Sequence, residues 1–153
     1  MKEDTPDILD LLIKHELTIK RLYVLFAAVF TGHRELWERL VADEQRHADS
    51  LAALRSDPTA VRWLTEQTRV RPAAIRSSIQ YVETQAARAH QGGLSQLQAL
   101  AIAKDLEGAL LEKELSRLSA AAPGETGATL AGLVGETERH RAAVSRAMEA
   151  ERR

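Results

Sequence analysis

Four segments of this chain carry apolar residues at alternating spacings of three and four, and each of those stripes is interrupted by a polar group. The first runs Leu9, Leu12, Ile19, Tyr23, Phe26 and Phe30, with Glu16 in its rhythm. The second runs Trp37, Leu40, Leu51 and Leu54, with Glu44 and His47 between them. The third carries Leu97, Leu100, Ala103, Leu110 and Leu111 around Glu107, and the fourth Leu130, Leu133, Val144 and Ala147 around Thr137 and His140. Alternation of three and four marks one face of a helix. Four such faces must bury one another, so the pattern predicts an all-α chain. Aromatic residues make up only 4% of the sequence, and alanine and leucine dominate its apolar part, which favours helix over sheet.

Helix-stopping residues divide the pattern. Thr5-Pro6 is a start signal, Thr31-Gly32 and Ser56-Asp57-Pro58 are stops, and Pro123-Gly124 separates the last two stripes. A short helix is expected within residues 59–71 around Val61, Trp63 and Leu64. Pro72 opens another, carrying Ile75, Ile79, Val82 and Ala86 and ending at Gly92-Gly93. The expectation is a single domain over residues 1–153, with long helices over about 6–31, 34–56, 94–121 and 125–151 and an extra helix over about 72–91. Two antiparallel helical hairpins joined by one long crossover describe a ferritin-like four-helix bundle.

Composition removes several function classes. The formal net charge is −1 with 28% charged residues, so no global charge points to nucleic acid or a membrane. Arg62, Arg69, Arg71 and Arg76 read as a solvated basic face. With no cysteine, disulfides, zinc-thiolate sites, iron–sulfur clusters and a rubredoxin-type centre are excluded from this sequence. No apolar run approaches the roughly 20 residues of a membrane span. Met1-Lys2-Glu3-Asp4 leads into no signal-like segment, so the expected address is the cytoplasm.

The chemistry lies in the interruptions. Asp43-Glu44-Gln45-Arg46-His47 contains Glu-x-x-His, and Glu136-Thr137-Glu138-Arg139-His140 repeats the frame with Thr137 at the carboxylate position. On a helix this spacing puts a carboxylate and an imidazole one turn apart on one face, the arrangement with which helical bundles build a two-metal site. A carboxylate facing a core costs several kcal/mol unless it is paired, protonated or metal-bound. Oxygen and imidazole donors suit iron or manganese, with zinc also compatible. The competing reading is a metal-free polar network, for which Tyr23, two turns after Glu16, is a partner. His15, His33, Glu83 and Glu112 are expected at the surface and His90 at a helix end, while Glu114 could reach the interior.

Glu16 with Tyr23, Asp43-Glu44-Gln45-Arg46-His47, Ala101-Ile102-Ala103-Lys104-Asp105-Leu106-Glu107 and Thr137-x-x-His140 together resemble the rubrerythrin-like branch of the ferritin-like superfamily. The resemblance covers most of the chain and departs at Thr137. It implies a di-iron carboxylate centre that oxidises ferrous iron or reduces peroxide. Glu16 would be terminal to one iron with His47 beside it, Glu44 would bridge, and Glu107 and His140 would serve the second. The sixth ligand falls on Thr137, a poor ligand. Three arrangements follow: Glu136, one turn before His140, replaces it; one metal is held by Glu16, Glu44, His47 and Glu107; or the centre is lost and a metal-free scaffold or interaction protein remains. The metal set is therefore Glu16, Glu44, His47, Glu107, Glu136 and His140, for one or two ions. Peroxide reduction would need an external electron donor. A homodimer is expected, with Trp37, Trp63 and the middle helix as surface.

Overall fold

The computed structural model describes residues 8–67 and 71–153, apart from the side chains of Leu110 and Leu111. Thr5, Pro6 and Arg69, and the stripe positions Leu110 and Leu111, therefore lie outside the described residues and side chains. What is described is all-α, with seven α-helices and no strand. They are α1 (Ile8–Val29), α2 (Arg34–Arg55), α3 (Pro58–Thr65), α4 (Pro72–His90), α5 (Gln96–Glu107), α6 (Leu110–Ala121) and α7 (Gly124–Arg152), with a single 3₁₀ turn at Thr31–His33. No helix among the described residues is long and apolar enough to cross a membrane.

Local chemistry sets several of the boundaries. Asp57 caps α3 by accepting from the Thr59 amide at 3.0 Å, with Pro58 at the first helical position. Ser95 and Gln98 form a reciprocal capping box at the start of α5. The expected third long helix is interrupted. The Gly108 amide closes the end of α5 on Lys104 and Asp105, Ala109 turns extended, and α6 begins at Leu110. Glycine is the poorest non-proline residue in a helix interior, and Gly108 is the position at which the helix stops.

Pairings between helices fix their directions. Lys20 donates to Gln45 at 2.7 Å and Arg55 to Asp10 at 2.8 Å, so partners rise on α1 as they fall on α2. Asp43 with His140 and Glu136 with His47 show the same for α2 and α7. Gln96 with Glu151 and Glu107 with His140 show it for α5 and α7. α4, in the connection between α2 and α5, lies along α1, and α7 packs on both α5 and α6.

The core is divided in two. One half holds Ile19, Leu22, Phe26, Trp37, Leu40, Val82, Leu100, Leu106, Val144 and their neighbours. The other holds Leu9, Leu12, Leu51, Leu54, Leu64, Ile75, Leu115, Leu118 and Leu130. Each of α1, α2 and α7 contributes to both halves, and between its two contributions lie its buried polar residues: His15 and Glu16, Glu44 and His47, Thr137 and His140. A polar layer thus crosses the middle of the molecule. Trp37 is fully enclosed against Tyr23 and Phe26, so it offers no surface to a second copy; Trp63 is half-buried.

Candidate metal centre

Glu16 from α1, Glu44 and His47 from α2, Glu107 from the last turn of α5, and Thr137 and His140 from α7 are all buried in this layer. Helix geometry puts them there. Each occupies a position at which its stripe would otherwise place a core residue, and at Glu44 and His47 the i, i+3 spacing places both on one face.

Glu44 is at the centre. Its Oε2 lies 3.5 Å from His47 Nδ1 and its Oε1 3.8 Å from His140 Nδ1, so each oxygen faces a different imidazole. Glu16 Oε2 lies 3.9 Å from His47 Nδ1, and Glu107 Oε1 3.5 Å from His140 Nδ1. The two imidazoles stack with centroids 5.5 Å apart. Donor atoms of Glu16, Glu44 and His47 lie within 4.8 Å of one another, and so do those of Glu44, Glu107 and His140. The arrangement is pseudo-twofold: a half from α1 and α2, a half from α5 and α7, and Glu44 shared.

The opposite ring nitrogens are held by a second rank of carboxylates. His47 Nε2 is 2.6 Å from Glu136, and His140 Nε2 is 2.7 Å from Asp43. Asp43 precedes Glu44 as Glu136 precedes Thr137, so each helix orients the other helix's histidine. Arg46 bridges Asp43 and Glu136 on the outside. In the neutral ring, an Nε2–H held by a carboxylate leaves the Nδ1 lone pair toward the cluster, the tautomer a metal ligand needs. Glu136 therefore stands beside His47 Nε2, as Asp43 stands beside His140 Nε2, and its carboxylate also forms a group with His47 and His140 whose donor atoms lie within 4.8 Å of one another.

Electrostatics in the metal-free chain reflect this crowding. Burial pushes the Glu44 carboxyl well above the usual range, and the charges of Glu16 and Glu107 add to it. Burial also opposes ionisation of Glu16, but hydrogen bonds with Glu44 and His47 outweigh it and hold Glu16 at about 2. Burial would lower His47 and His140, yet their carboxylate neighbours raise both. Tyr23, buried beside Glu107, is held protonated and donates to Glu107 Oε1 at 3.0 Å. Four buried side-chain atoms among the described residues have no hydrogen-bond partner, on His15, Trp37, Glu44 and His140; two of them are Glu44 Oε2 and His140 Nδ1. Both belong to the cluster. A cation between the carboxylates would satisfy both, so the residues present fit a metal.

Two other positions, His15 and Glu112, differ from the expectation drawn from sequence. His15 is 2% exposed rather than at the surface, because Leu12, His15, Ile19 and Leu22 continue the three-and-four spacing. Glu112 is half-buried, and burial together with the charges of Glu16 and Glu107 raises its carboxyl well above the usual range. His33 is partly exposed and pairs with Glu151 at 3.1 Å, Glu83 and His90 are exposed, and Glu114 pairs with Arg117 at 2.8 Å. Glu107, Gly108, Glu112, Thr137 and Arg141 line a cavity of about 240 Å³ between α6 and α7. Comparison with family models, curated proteins and solved structures returns no match to this chain, so the functional reading rests on the chemistry of the site.

Proposed function

We propose that the chain is a ferritin-like four-helix bundle holding a non-haem iron centre of the rubrerythrin type. Its four principal helices are α1, α2, the α5–α6 pair and α7, with α3 and α4 in the crossover. The observation that carries the reading is the pair of imidazoles whose Nε2 atoms are fixed by Glu136 and Asp43 while their Nδ1 atoms face Glu16, Glu44 and Glu107. A polar network without metal has no need of two histidines oriented in this way around a buried acid with an unsatisfied oxygen.

In this reading Glu16, Glu44 and His47 hold one ion and Glu44, Glu107 and His140 the other, with manganese or zinc as alternatives to iron. A bound iron pair would supply redox chemistry toward ferrous iron or peroxide. The chain supplies the rest. Tyr23 fixes the Glu107 carboxylate, Asp43 and Glu136 fix the imidazoles, and the two apolar cores keep bulk water from the flanks. Thr137, at the edge of the cavity, brings no charge to the second position and leaves room there for a small reactant. Ferrous oxidation needs no further reductant, whereas peroxide reduction draws on an external donor. The assembly proposed is a homodimer; exposed Val24 on α1 is apolar surface available to it, and sedimentation velocity tests it.

Metal-free protein given ferrous iron without oxygen and then desalted retains about two ions per chain by elemental analysis, and Glu44→Ala retains none. Retention of no iron by the wild type leaves the alternative, a metal-free helical scaffold or interaction protein. Ferroxidase activity is then read as oxygen consumption on adding ferrous iron to the loaded protein.

A further inference from the structure

We propose that His15, Glu16 and Glu112 form a third cation position, joined to the proposed two-metal centre through the Glu16 carboxylate and reached from the cavity between α6 and α7. A ring nitrogen of His15 and one carboxylate oxygen each from Glu16 and Glu112 lie within 4.8 Å of one another. His15 Nε2 is engaged by Ser78 Oγ of α4 at 2.7 Å, while His15 Nδ1 is buried without any hydrogen-bond partner. When Nε2–H donates to the serine, Nδ1 is a bare lone pair in the interior. That is the same preparation seen at His47 and His140, with a hydroxyl in place of a carboxylate. A buried acceptor left unsatisfied is destabilising, and a bound cation removes that cost.

The three positions form a file. Glu44 is common to the two halves of the centre, and Glu16 is common to the centre and the His15–Glu112 group. Of the carboxylates in the file, Glu112 is the most exposed, and it lines the 240 Å³ cavity. The break at Gly108 is what makes this possible, because α6 starts anew at Leu110 and places Glu112 in its first turn.

Charge sets the order of filling. The carboxylates of the two-metal centre, on Glu16, Glu44 and Glu107, set three negative charges against the four positive charges of two divalent ions, and Glu112 adds only one against the next two, so a third ion is held more weakly. One nitrogen and two oxygen donors suit ferrous iron, manganese, cobalt or zinc rather than calcium or magnesium. The position is thus the place where a divalent ion first leaves water on its way to the centre. This inference rests on the metal reading of the centre.

The test uses cobalt(II) on the full, metal-free chain, by equilibrium dialysis without oxygen and metal analysis across a range of free cobalt. The expected result is two ions bound at low free cobalt and a third at higher. His15→Gln and Glu112→Gln lose the third and keep the first two with their visible absorption unchanged. Far-UV circular dichroism reports folding, and Glu112→Gln, at a half-exposed position, decides the matter should His15→Gln fail to fold. Wild type that binds no cobalt overturns the centre and with it this position. Wild type that stops at two, or a third ion retained by both variants, overturns the third position alone. Loss of one of the first two ions in Glu112→Gln makes Glu112 a ligand of the centre and overturns the separate position as well.

Discussion

Glu44 carries the opposing demands of stability and metal binding in one side chain. In the metal-free chain its pKa lies well above the ordinary carboxylate value, because it is buried beside Glu16 and Glu107. Folding then takes up a proton wherever the unfolded chain's carboxylate, ionising near ~4.3, is already charged. The stability that the protonated carboxyl contributes is full below that pH and is lost as pH rises toward the folded value. His47 and His140, raised above 6.5, act in the same sense from about pH 6.5 upward, while His15, lowered by burial, acts in the opposite sense. Metal-free wild type should therefore melt at lower temperature at pH 8 than at pH 5.5. Glu44→Gln, a permanent neutral analogue of the protonated acid, should show a shallower slope and a higher melting temperature at pH 8, yet retain no iron. A steep slope unchanged in Glu44→Gln would show that Glu44 is already ionised in the metal-free fold. At this scale the sequence was most informative where a stripe of apolar residues flanked the polar one, as at Glu16, Glu44, His47, Glu107 and His140. Asp43 had a signal too, since an acid precedes the frame in both copies. Glu112 had none, because its inward position depends on an interruption that shifts the helix.

That interruption belongs to the scale of the element. The hydrophobic rhythm passes through Gly108 without a break, so periodicity alone extends the third helix to about residue 121, and only the low helix propensity of glycine hints otherwise. The junction of α2 and α3 and the start of α4 were readable because serine, aspartate and proline act locally there, and the end of α4 because Gly92-Gly93 follows it. The hairpin of α6 and α7 turns on a tighter feature. A β-carbon on Gly127 would overlap the Ala122 carbonyl oxygen, a backbone atom that cannot swing away. Gly127→Ala should therefore cost about 1–3 kcal/mol, despite the better helix propensity of alanine, and lower the melting temperature by about 2–4 °C per kcal/mol in a chain of this size. A melting temperature equal to wild type would show that the α6–α7 corner relaxes freely. Ser95→Ala, which deletes half of the capping box of α5, should cost about 0.5–2 kcal/mol without altering iron retention, because Glu107 lies three turns away at the other end of the helix.

Across the whole molecule, the polar layer is the weakest joint of the fold until something neutralises it. Two apolar cores, each built from parts of α1, α2, α4 and α7, meet at a plane of carboxylates and imidazoles in which atoms of His15, Glu44 and His140 are buried without a hydrogen-bond partner. Without metal, the central turns of α2 and α7 carry the crowded charges, and their opening relieves them. With metal, the same groups tie α1, α2, α5 and α7 together at one point. Ligand binding to the folded state alone stabilises by about 2.7 kcal/mol at one hundred times the dissociation constant, which corresponds here to a rise of roughly 5–11 °C in melting temperature. Amide hydrogen exchange should locate that gain at residues 43–48 and 136–141, with smaller changes at the outer ends of the helices. Asp43→Asn and Glu136→Gln, each loosening one imidazole without removing a proposed ligand, should weaken metal binding by about 10–100-fold and shrink the thermal shift in proportion. A scaffold that had lost its metal would show no thermal shift with ferrous iron, and exchange at the central turns would be indifferent to it. The two readings thus diverge most at the middle of the molecule, where the apolar stripes of the sequence are broken.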